Sequence, residues 1–391
     1  MPEDGQSAAA TPDRGELAVV LTGGGARGAY QVGILRHLAR RFPDLHIPII
    51  TGVSAGAINA AHLAQHHGTL PQAADELAAL WMELTPERIF RVDVPALLAN
   101  MGRWGMQLAG GGVRESRVRG LVDTAPLFEL LNEALAPVDG ELTGIDYNLH
   151  RGTLRAAAIV TTSYTTGQTV IWVQGRGIET WERPSRRAVE TRLRVEHVMA
   201  SAALPLFFPA VQVGTHWFGD GGIRLTAPLS PALHLGAHKI LAISTHYDRT
   251  LAEAQTPEVA GYPPPAQVLG ILYNAIFLDM VDQDIMRMER MNHVLRRLPP
   301  EGREGMRVVE LMSIRPSRDL GALSREYEPR LPRAFRLLTR GLGTRETKSP
   351  DMLSLIMFQE DYVRALIELG EEDAERRGDE LAEFIGSNGG S

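Results

Sequence analysis

Two short apolar runs, each emptying into glycine and then into a helical pattern, constrain this chain more than any other feature. Leu17 to Thr22 (LAVVLT) is apolar and rich in β-branched residues; Gly23-Gly24-Gly25 follows at once, then a helical pattern from about Gly28 to Arg40. Ile47 to Thr51 (IPIIT) repeats the arrangement. It runs into Gly52-Val53-Ser54-Ala55-Gly56 and a helical pattern from Ala55 to about His66. A brief apolar run without polar alternation reads as a strand covered on both faces. A strand–helix–strand path needs a crossover, which lays the strands parallel. The expected fold is therefore α/β: three layers, α/β/α, around a mainly parallel sheet.

Further along, Leu154 to Gln174 reads as a hairpin around TTSYTTG, and Ile240 to Thr245 (ILAIST) as another buried strand. Thr256 to Pro265 is a proline-rich connection, and Val268 to Leu298 carries one long helical pattern. Residues 316–391 read as a helical C-terminal extension, and 1–15, small, polar and proline-bearing, as a disordered tail. Residues 86–120 break the rhythm and read as an insertion over a sheet edge or a site mouth. Leu97, Leu98, Met101, Trp104, Met106 and Leu108 make it apolar around glycines. A lid, a membrane contact and ordinary packing under a loop all fit that composition.

Composition narrows the chemistry. The 391 residues include no cysteine, which excludes disulfides, thiolate catalysis and cysteine-ligated zinc. A formal net charge of −7 argues against a nucleic-acid partner and against purely electrostatic docking on anionic lipid. With 44% hydrophobic residues a sizeable core is available. The start, MPEDGQSAAATPDRGE, lacks a basic and an apolar signal region, so a cytoplasmic location is expected. No apolar run approaches the ~20 residues of a membrane-spanning helix, so any membrane contact would be peripheral. His62, His66 and His67 share a helical pattern, but no acidic partner of metalloprotease type accompanies them, and no metal is expected.

The glycine loop Gly23 to Gly28 (GGGARG) satisfies the spacing of a dinucleotide fingerprint, a weak signal alone. Its physical content is broader. Backbone N–H groups at a helix start form a site for negative charge, whether a pyrophosphate or the oxyanion of an acyl-transfer intermediate. The second motif favours the oxyanion. Gly52-Val53-Ser54-Ala55-Gly56 is G-x-S-x-G between strand and helix, the setting of a nucleophile elbow. No acidic residue stands where a ribose would need one, because the second strand ends in Ser54. The bland reading of Ser54 is a capping serine in a tight turn.

A serine nucleophile needs a base. His246, at the end of ILAIST, would complete a Ser-His-Asp triad, although the elbow comes early for an α/β-hydrolase. Asp220, in Gly219-Asp220-Gly221-Gly222, is the other candidate, and Asp-Gly is also an ordinary hairpin turn. Asp279, Asp282 and Asp284 read as helix-surface ion pairs, and Met286, Met288 and Met291 as core.

Taken jointly and in order, the G-G-G-x-R-G loop, the G-x-S-x-G elbow and D-G-G at Asp220, with Ala200 to Pro209 (ASAALPLFFP) just upstream, resemble the patatin-like phospholipase family. The resemblance covers roughly residues 17–245. It implies a catalytic domain over residues 16–315 and lipid acyl-ester hydrolysis by a Ser–Asp dyad, without cofactor or metal. Ser54 would be the nucleophile, Asp220 the base, Gly52 and Gly56 the elbow glycines. Gly24 and Gly25 would supply oxyanion-hole N–H groups, with Gly23 shaping the loop and Arg27 beside it. The partner would be a lipid or acyl-ester substrate. Two rivals stay open: a triad esterase using His246, and a non-enzymatic nucleotide- or lipid-binding module using the glycine loop.

Overall fold

In a computed structural model, residues 16–91, 120, 122–256, 261–263, 265–277, 279–331 and 351–386 are described. The 1–15 tail and most of the 86–120 insertion (92–119) lie outside the described residues.

Ten strands make one sheet: β1 (Leu17–Leu21), β2 (Ile49–Val53), β3 (Ala156–Ser163), β4 (Thr169–Gly175), β5 (Glu182–Arg183), β6 (Arg186–Glu190), β7 (Val211–Val213), β8 (His216–Asp220), β9 (Lys239–Ile243) and β10 (Glu310–Ile314). The order is β10-β9-β1-β2-β3-β4-β6-β5, with β8 on β3 and β7 on β8. From β10 to β3 every pairing is parallel. The expected hairpin is the antiparallel pair β3–β4. The mainly parallel three-layer architecture is thus as the sequence implies.

Alternation along β1 shows why the strand reads as apolar throughout. Leu17, Val19 and Leu21 enter one core with Tyr30, Ile34 and Leu38 of helix α1 (Gly28–Arg41). Ala18 and Val20 enter a second core on the opposite face with Leu229 and Ile240. The first face also carries α2 (Ala55–Gln65), α3 (Leu70–Met82), α4 (Ala125–Leu135), α5 (Thr143–Arg151) and α6 (Val195–Ser201). Behind the glycine loop, a buried polar chain ties these helices to β1. Gln31 Nε2 donates to the Thr22 carbonyl at 2.8 Å, Asn59 Nδ2 to Gln31 Oε1 at 3.0 Å, and Trp81 Nε1 to Asn59 Oδ1 at 2.7 Å.

The long helical pattern over 268–298 resolves into two helices, α7 (Pro265–Phe277) and α8 (Asp279–Leu295). Asp279 and Asp282 lie in the first turn of α8, where carboxylates complement the helix dipole. Val281 and Ile285 of α8 join the second core.

C-terminal helices are present as expected: α9 (Leu320–Tyr327), α10 (Asp351–Ile356) and α11 (Glu360–Arg376). The strand β10 just before them extends the sheet through β9, and hydrophobic patterning did not mark it. Helix α11 lies across α1 at a crossing that only glycine permits. A Cβ on Gly33 would meet the Ile367 carbonyl oxygen at 2.0 Å, and one on Gly370 the Tyr30 carbonyl oxygen at 2.2 Å. Close by, the Tyr30 hydroxyl donates to Asp373 Oδ2 at 3.0 Å.

Gly370→Val should push α11 off α1 and destabilise the protein by about 1–3 kcal/mol, the usual cost of overpacking. Thermal melting checks this; a wild-type melting temperature would mean that the crossing does not contribute to the folded core.

Candidate active site

The site begins at the end of β2. Strand β2 pairs with β3 up to Val53↔Val160, and the chain then turns sharply into α2. Ser54, at the turn, has φ 57 and ψ −130, a conformation costing a non-glycine residue of order 1–3 kcal/mol. Surrounding contacts hold it there. The Ser54 N–H donates to Ser201 Oγ at 2.9 Å, and that hydroxyl donates to the Val160 carbonyl at 2.6 Å. Gly56 lets α2 ride directly over β1, since a Cβ there would lie 2.3 Å from the Leu21 carbonyl oxygen. Gly52 faces Gly56 across the same turn. The Ser54 side chain therefore sits at the positive end of α2, where the helix dipole favours a developing alkoxide.

Asp220 arrives on a different strand at the same place. β3 is covered on one edge by β4; on the other, β2 pairs with residues 156–160 and β8 with residues 161–163. Strand β8 takes over the edge where β2 leaves it, with Asp220 opposite Thr161. A Cβ on the next residue, Gly221, would contact both Val160 and Val53. This shared edge brings Ser54 and Asp220 together from positions 166 residues apart (220 − 54).

Asp220 is fully buried. Its Oδ1 accepts the Gly222 N–H at 2.9 Å, while Oδ2 has no hydrogen bond of normal geometry. Burial pushes its carboxyl up from the ordinary 3.8 to about 7; the Ser54 hydroxyl and the Gly222 N–H, which favour the charged form, hold it back. The Ser54 hydroxyl thus lies near enough to favour the charged carboxyl without making a hydrogen bond of normal geometry to it. The field of Asp220 reaches Tyr164, whose hydroxyl burial and this neighbour together push up to about 12.

Across from the elbow lies the glycine loop. Gly23 packs on Ser54: a Cβ there would sit 3.0 Å from Ser54 Cβ and 3.6 Å from its Oγ. Thr245 Oγ1 donates to the Gly23 carbonyl at 2.6 Å. A trans peptide directs its C=O and N–H oppositely, so the Gly24 N–H is turned away from Thr245. Gly24 (φ 151) and Gly25 (φ 55) both adopt backbone that disfavours side chains, and a 3₁₀ turn over Gly25–Arg27 leads into α1. The Arg27 guanidinium points away from this loop to Asp351 Oδ1 (2.6 Å) and Ser354 Oγ (2.7 Å) of α10.

Ser54 and Gly25 open into an apolar cavity walled by Ile58, Trp81, Leu131, Leu204, Phe208 and Leu355, among others. The remaining candidates are elsewhere. His246 has Nδ1 2.7 Å from Asp282 Oδ2 and Nε2 3.6 Å from Asp279 Oδ1, so both ring nitrogens face carboxylates of α8 and not Ser54. Asp282 is ion-paired as expected, with Arg315 Nη2 at 2.8 Å; Asp279 faces the His246 ring, and Asp284 accepts the Leu229 N–H at 2.9 Å. Met286 and Met291, expected in the core, are about half exposed. His62 is buried against the Ala73 carbonyl, His66 lies on Glu76 and His67 on the Tyr147 ring. Among the described residues no cluster could hold a metal ion, and no helix is long and apolar enough to cross a membrane.

Four residues of the site carried no assigned role in the sequence. Ser201 lies within the Ala200–Pro209 stretch that marked the resemblance, and Thr245 ends a run read as a buried strand; both had a signal of position but not of purpose. Asp351 and Ser354 had none.

The family description "patatin-like phospholipase" matches residues 19–233, more than half of the 391 residues. The chain belongs to the patatin-like phospholipase family, one of lipid hydrolases. No curated protein matches it in sequence. Solved structures similar to it include VipD from Legionella pneumophila (14% identity, 89% of this chain and 67% of that one, TM-score 0.32). Human GIVD cytosolic phospholipase A2 is another (12% identity, 95% of this chain and 62% of that one, TM-score 0.46). A third is a chain of the SpcU–ExoU complex of Pseudomonas aeruginosa (15% identity, 96% and 80%, TM-score 0.25). The chain thus spans about two thirds or less of the length of the first two.

The raised Asp220 carboxyl has a consequence for stability. Between pH 3.8 and about 7 the folded state keeps a proton that the unfolded chain releases. Over that range stability falls as pH rises, and the full cost is present above about 7. Asp220→Asn should therefore be more stable than wild type at pH 8, by on the order of a few kcal/mol, and lose this advantage near pH 4. Melting curves at both pH values test it; an equal difference at the two would show that the carboxyl is not desolvated.

Proposed function

We propose that the protein hydrolyses acyl esters of lipids, phospholipids or lysophospholipids, through a Ser54–Asp220 dyad. The observation that carries this reading is a strained elbow serine beside a fully buried carboxyl whose pKa is about 7, at the mouth of an apolar cavity. An acyl chain enters the cavity and its ester carbonyl lies over Ser54. Asp220 accepts the hydroxyl proton as Ser54 Oγ bonds to the carbonyl carbon. The Gly24 and Gly25 N–H groups stabilise the oxyanion, with Gly23 shaping the turn. Collapse of the tetrahedral intermediate expels the alcohol, which takes the proton back from Asp220. Water, deprotonated by Asp220, then attacks the acyl carbonyl, and the Ser54 oxygen leaves the carbon and takes that proton back from Asp220, which restores the dyad. A base with pKa near 7 is matched to neutral operation, which an ordinary aspartate is not.

Two observations weigh against the rivals. His246 is engaged by Asp282 and Asp279. A pyrophosphate on the glycine loop would face an apolar wall, with the nearby Arg27 already paired to Asp351. We also propose peripheral contact with a lipid surface. Val268, Ile271, Leu272 and Ile276 of α7 are exposed on a helix whose sequence (PAQVLGILYNAIF) has no charged residue, which suits zwitterionic lipid.

Hydrolysis of a short-chain p-nitrophenyl ester and of phosphatidylcholine tests the reading. Ser54→Ala should lose roughly 10⁴-fold or more in kcat, and Asp220→Asn roughly 10²–10⁴-fold, while His246→Ala stays near wild type. The kcat/KM of wild type should rise with pH to about 7 and then level. Loss of activity in His246→Ala would instead support the triad, and an active Ser54→Ala would remove the dyad. The double variant Ile271→Asp, Leu272→Asp should keep activity on the soluble ester and lose co-sedimentation with phosphatidylcholine vesicles. Unchanged co-sedimentation would remove α7 as the contact.

A further inference from the structure

We infer that α10 belongs to the catalytic apparatus as a clamp on the oxyanion loop: Asp351 and Ser354 hold Arg27 from behind, and Arg27 holds the 3₁₀ turn that carries Gly24 and Gly25. Arg27 is then a positioning residue and not a cation for substrate. The inference rests on the proposed reading of Gly24 and Gly25 as oxyanion donors.

Arg27 is only 3% exposed and directs its fork at one helix. Nη2 lies 2.6 Å from Asp351 Oδ1 and 3.3 Å from the Asp351 carbonyl; Nε donates to Ser354 Oγ at 2.7 Å. Ser354 donates its own proton to the Asp351 carbonyl at 2.6 Å, leaving its lone pairs for Nε. The second carboxylate oxygen, Oδ2, accepts Asn274 Nδ2 of α7 at 2.6 Å. The carboxylate is therefore fixed from both sides, and a planar guanidinium held by three acceptor atoms has little freedom to turn. Arg27 also closes the turn itself, its N–H donating to the Gly24 carbonyl at 3.0 Å.

A second contact is independent of charge. The backbone of α10 abuts the loop so closely that a Cβ on Gly25 would lie 2.1 Å from the Leu355 carbonyl oxygen. The same segment gives Leu355, Ile356 and Phe358 to the apolar cavity beside Ser54. One short helix thus touches the loop through an ion pair and through backbone, and walls the acyl site. It lies beyond the stretch that matches the family, which ends at residue 233.

Removing one partner of a buried ion pair strands the other and threatens folding, whereas replacing both with apolar residues is often neutral. The test therefore uses the double variant Arg27→Met, Asp351→Leu in the full chain, with Asp351→Asn as a milder change. Four quantities are measured: melting temperature, kcat and KM on a soluble ester, Ki of an alkyl trifluoromethyl ketone, and amide hydrogen exchange over residues 23–28. The ketone forms a tetrahedral adduct whose oxygen depends on the oxyanion donors, so a purely structural role would not move its Ki relative to KM. Expected for the double variant are a melting temperature close to wild type and a kcat lowered about 10–100-fold, short of losing a donor outright. KM should be little changed, Ki should rise by a factor like that of kcat, and exchange in the loop should be faster. Asp351→Asn should show the same pattern, more weakly.

A folded double variant with wild-type kcat and Ki overturns the clamp. So does a rise in KM with kcat unchanged, which would place Arg27 on the substrate. If the double variant does not fold, Asp351→Asn decides by the same criteria. An inactive wild type would instead overturn the acyl-hydrolase reading; loop exchange then judges the clamp alone, and unchanged exchange in the double variant refutes it.

Discussion

Everything at the site depends on how one edge of β3 is shared. Because β4 occupies the other edge for nearly its whole length, β2 and β8 must divide the remaining one, β2 taking residues 156–160 and β8 residues 161–163. A parallel strand and an antiparallel strand thus end head to head, and the residues at their ends, Ser54 and Asp220, become neighbours. Ser201 reinforces the junction, holding the Ser54 N–H and the Val160 carbonyl with one hydroxyl. The strain at Ser54 is sustained because β2, α2 and Ser201 each fix the turn independently.

The same geometry explains the electrostatics. An aspartate at the end of an edge strand would ordinarily be wet and acidic. Here the end of the strand abuts another strand, and the carboxyl is fully buried with a single backbone donor on one oxygen. Its pKa of about 7 follows from that desolvation above all. Holding this group costs stability at neutral pH, and the proposed dyad would use as its base a carboxylate raised by burial in place of an imidazole.

What the sequence could show divides along the range of the interactions involved. Strands β1 and β2, the helices after them and the glycines at 23–25, 52 and 56 are legible because strand, turn and helix are local, and each turn needs residues of a particular kind. Asp220 was ambiguous between a hairpin turn and a base for the opposite reason: its role comes from pairing with β3, which no local pattern records. The division into α7 and α8 is not legible because apolar spacing continues from one to the other, although the acidic first turn of α8 is in view. Strand β10 (ELMSI) is partly exposed at the sheet edge and lacks the long apolar run that marked the others. Asp351 and Ser354 lie over 300 residues from the loop they touch, and a single sequence offers nothing to connect them.

The C-terminal helices also change what the apolar cavity means. A pocket formed by α2, α3 and α4 alone would be open on the side where Leu355, Ile356 and Phe358 stand. Water admitted there would reach Ser54 and Gly25, which line the same cavity. Asp220 lies outside that lining, paired with β3 and close to α7, whose Phe277 stands against Gly222 and whose Tyr273 lies in its field. The wall beside Ser54 and the surroundings that raise Asp220 thus come from different elements, α10 in the first case and β3 with α7 in the second. Helix α10 supplies its wall from outside the family-matched stretch, and α11, which follows it, is seated on α1 through Gly33 and Gly370.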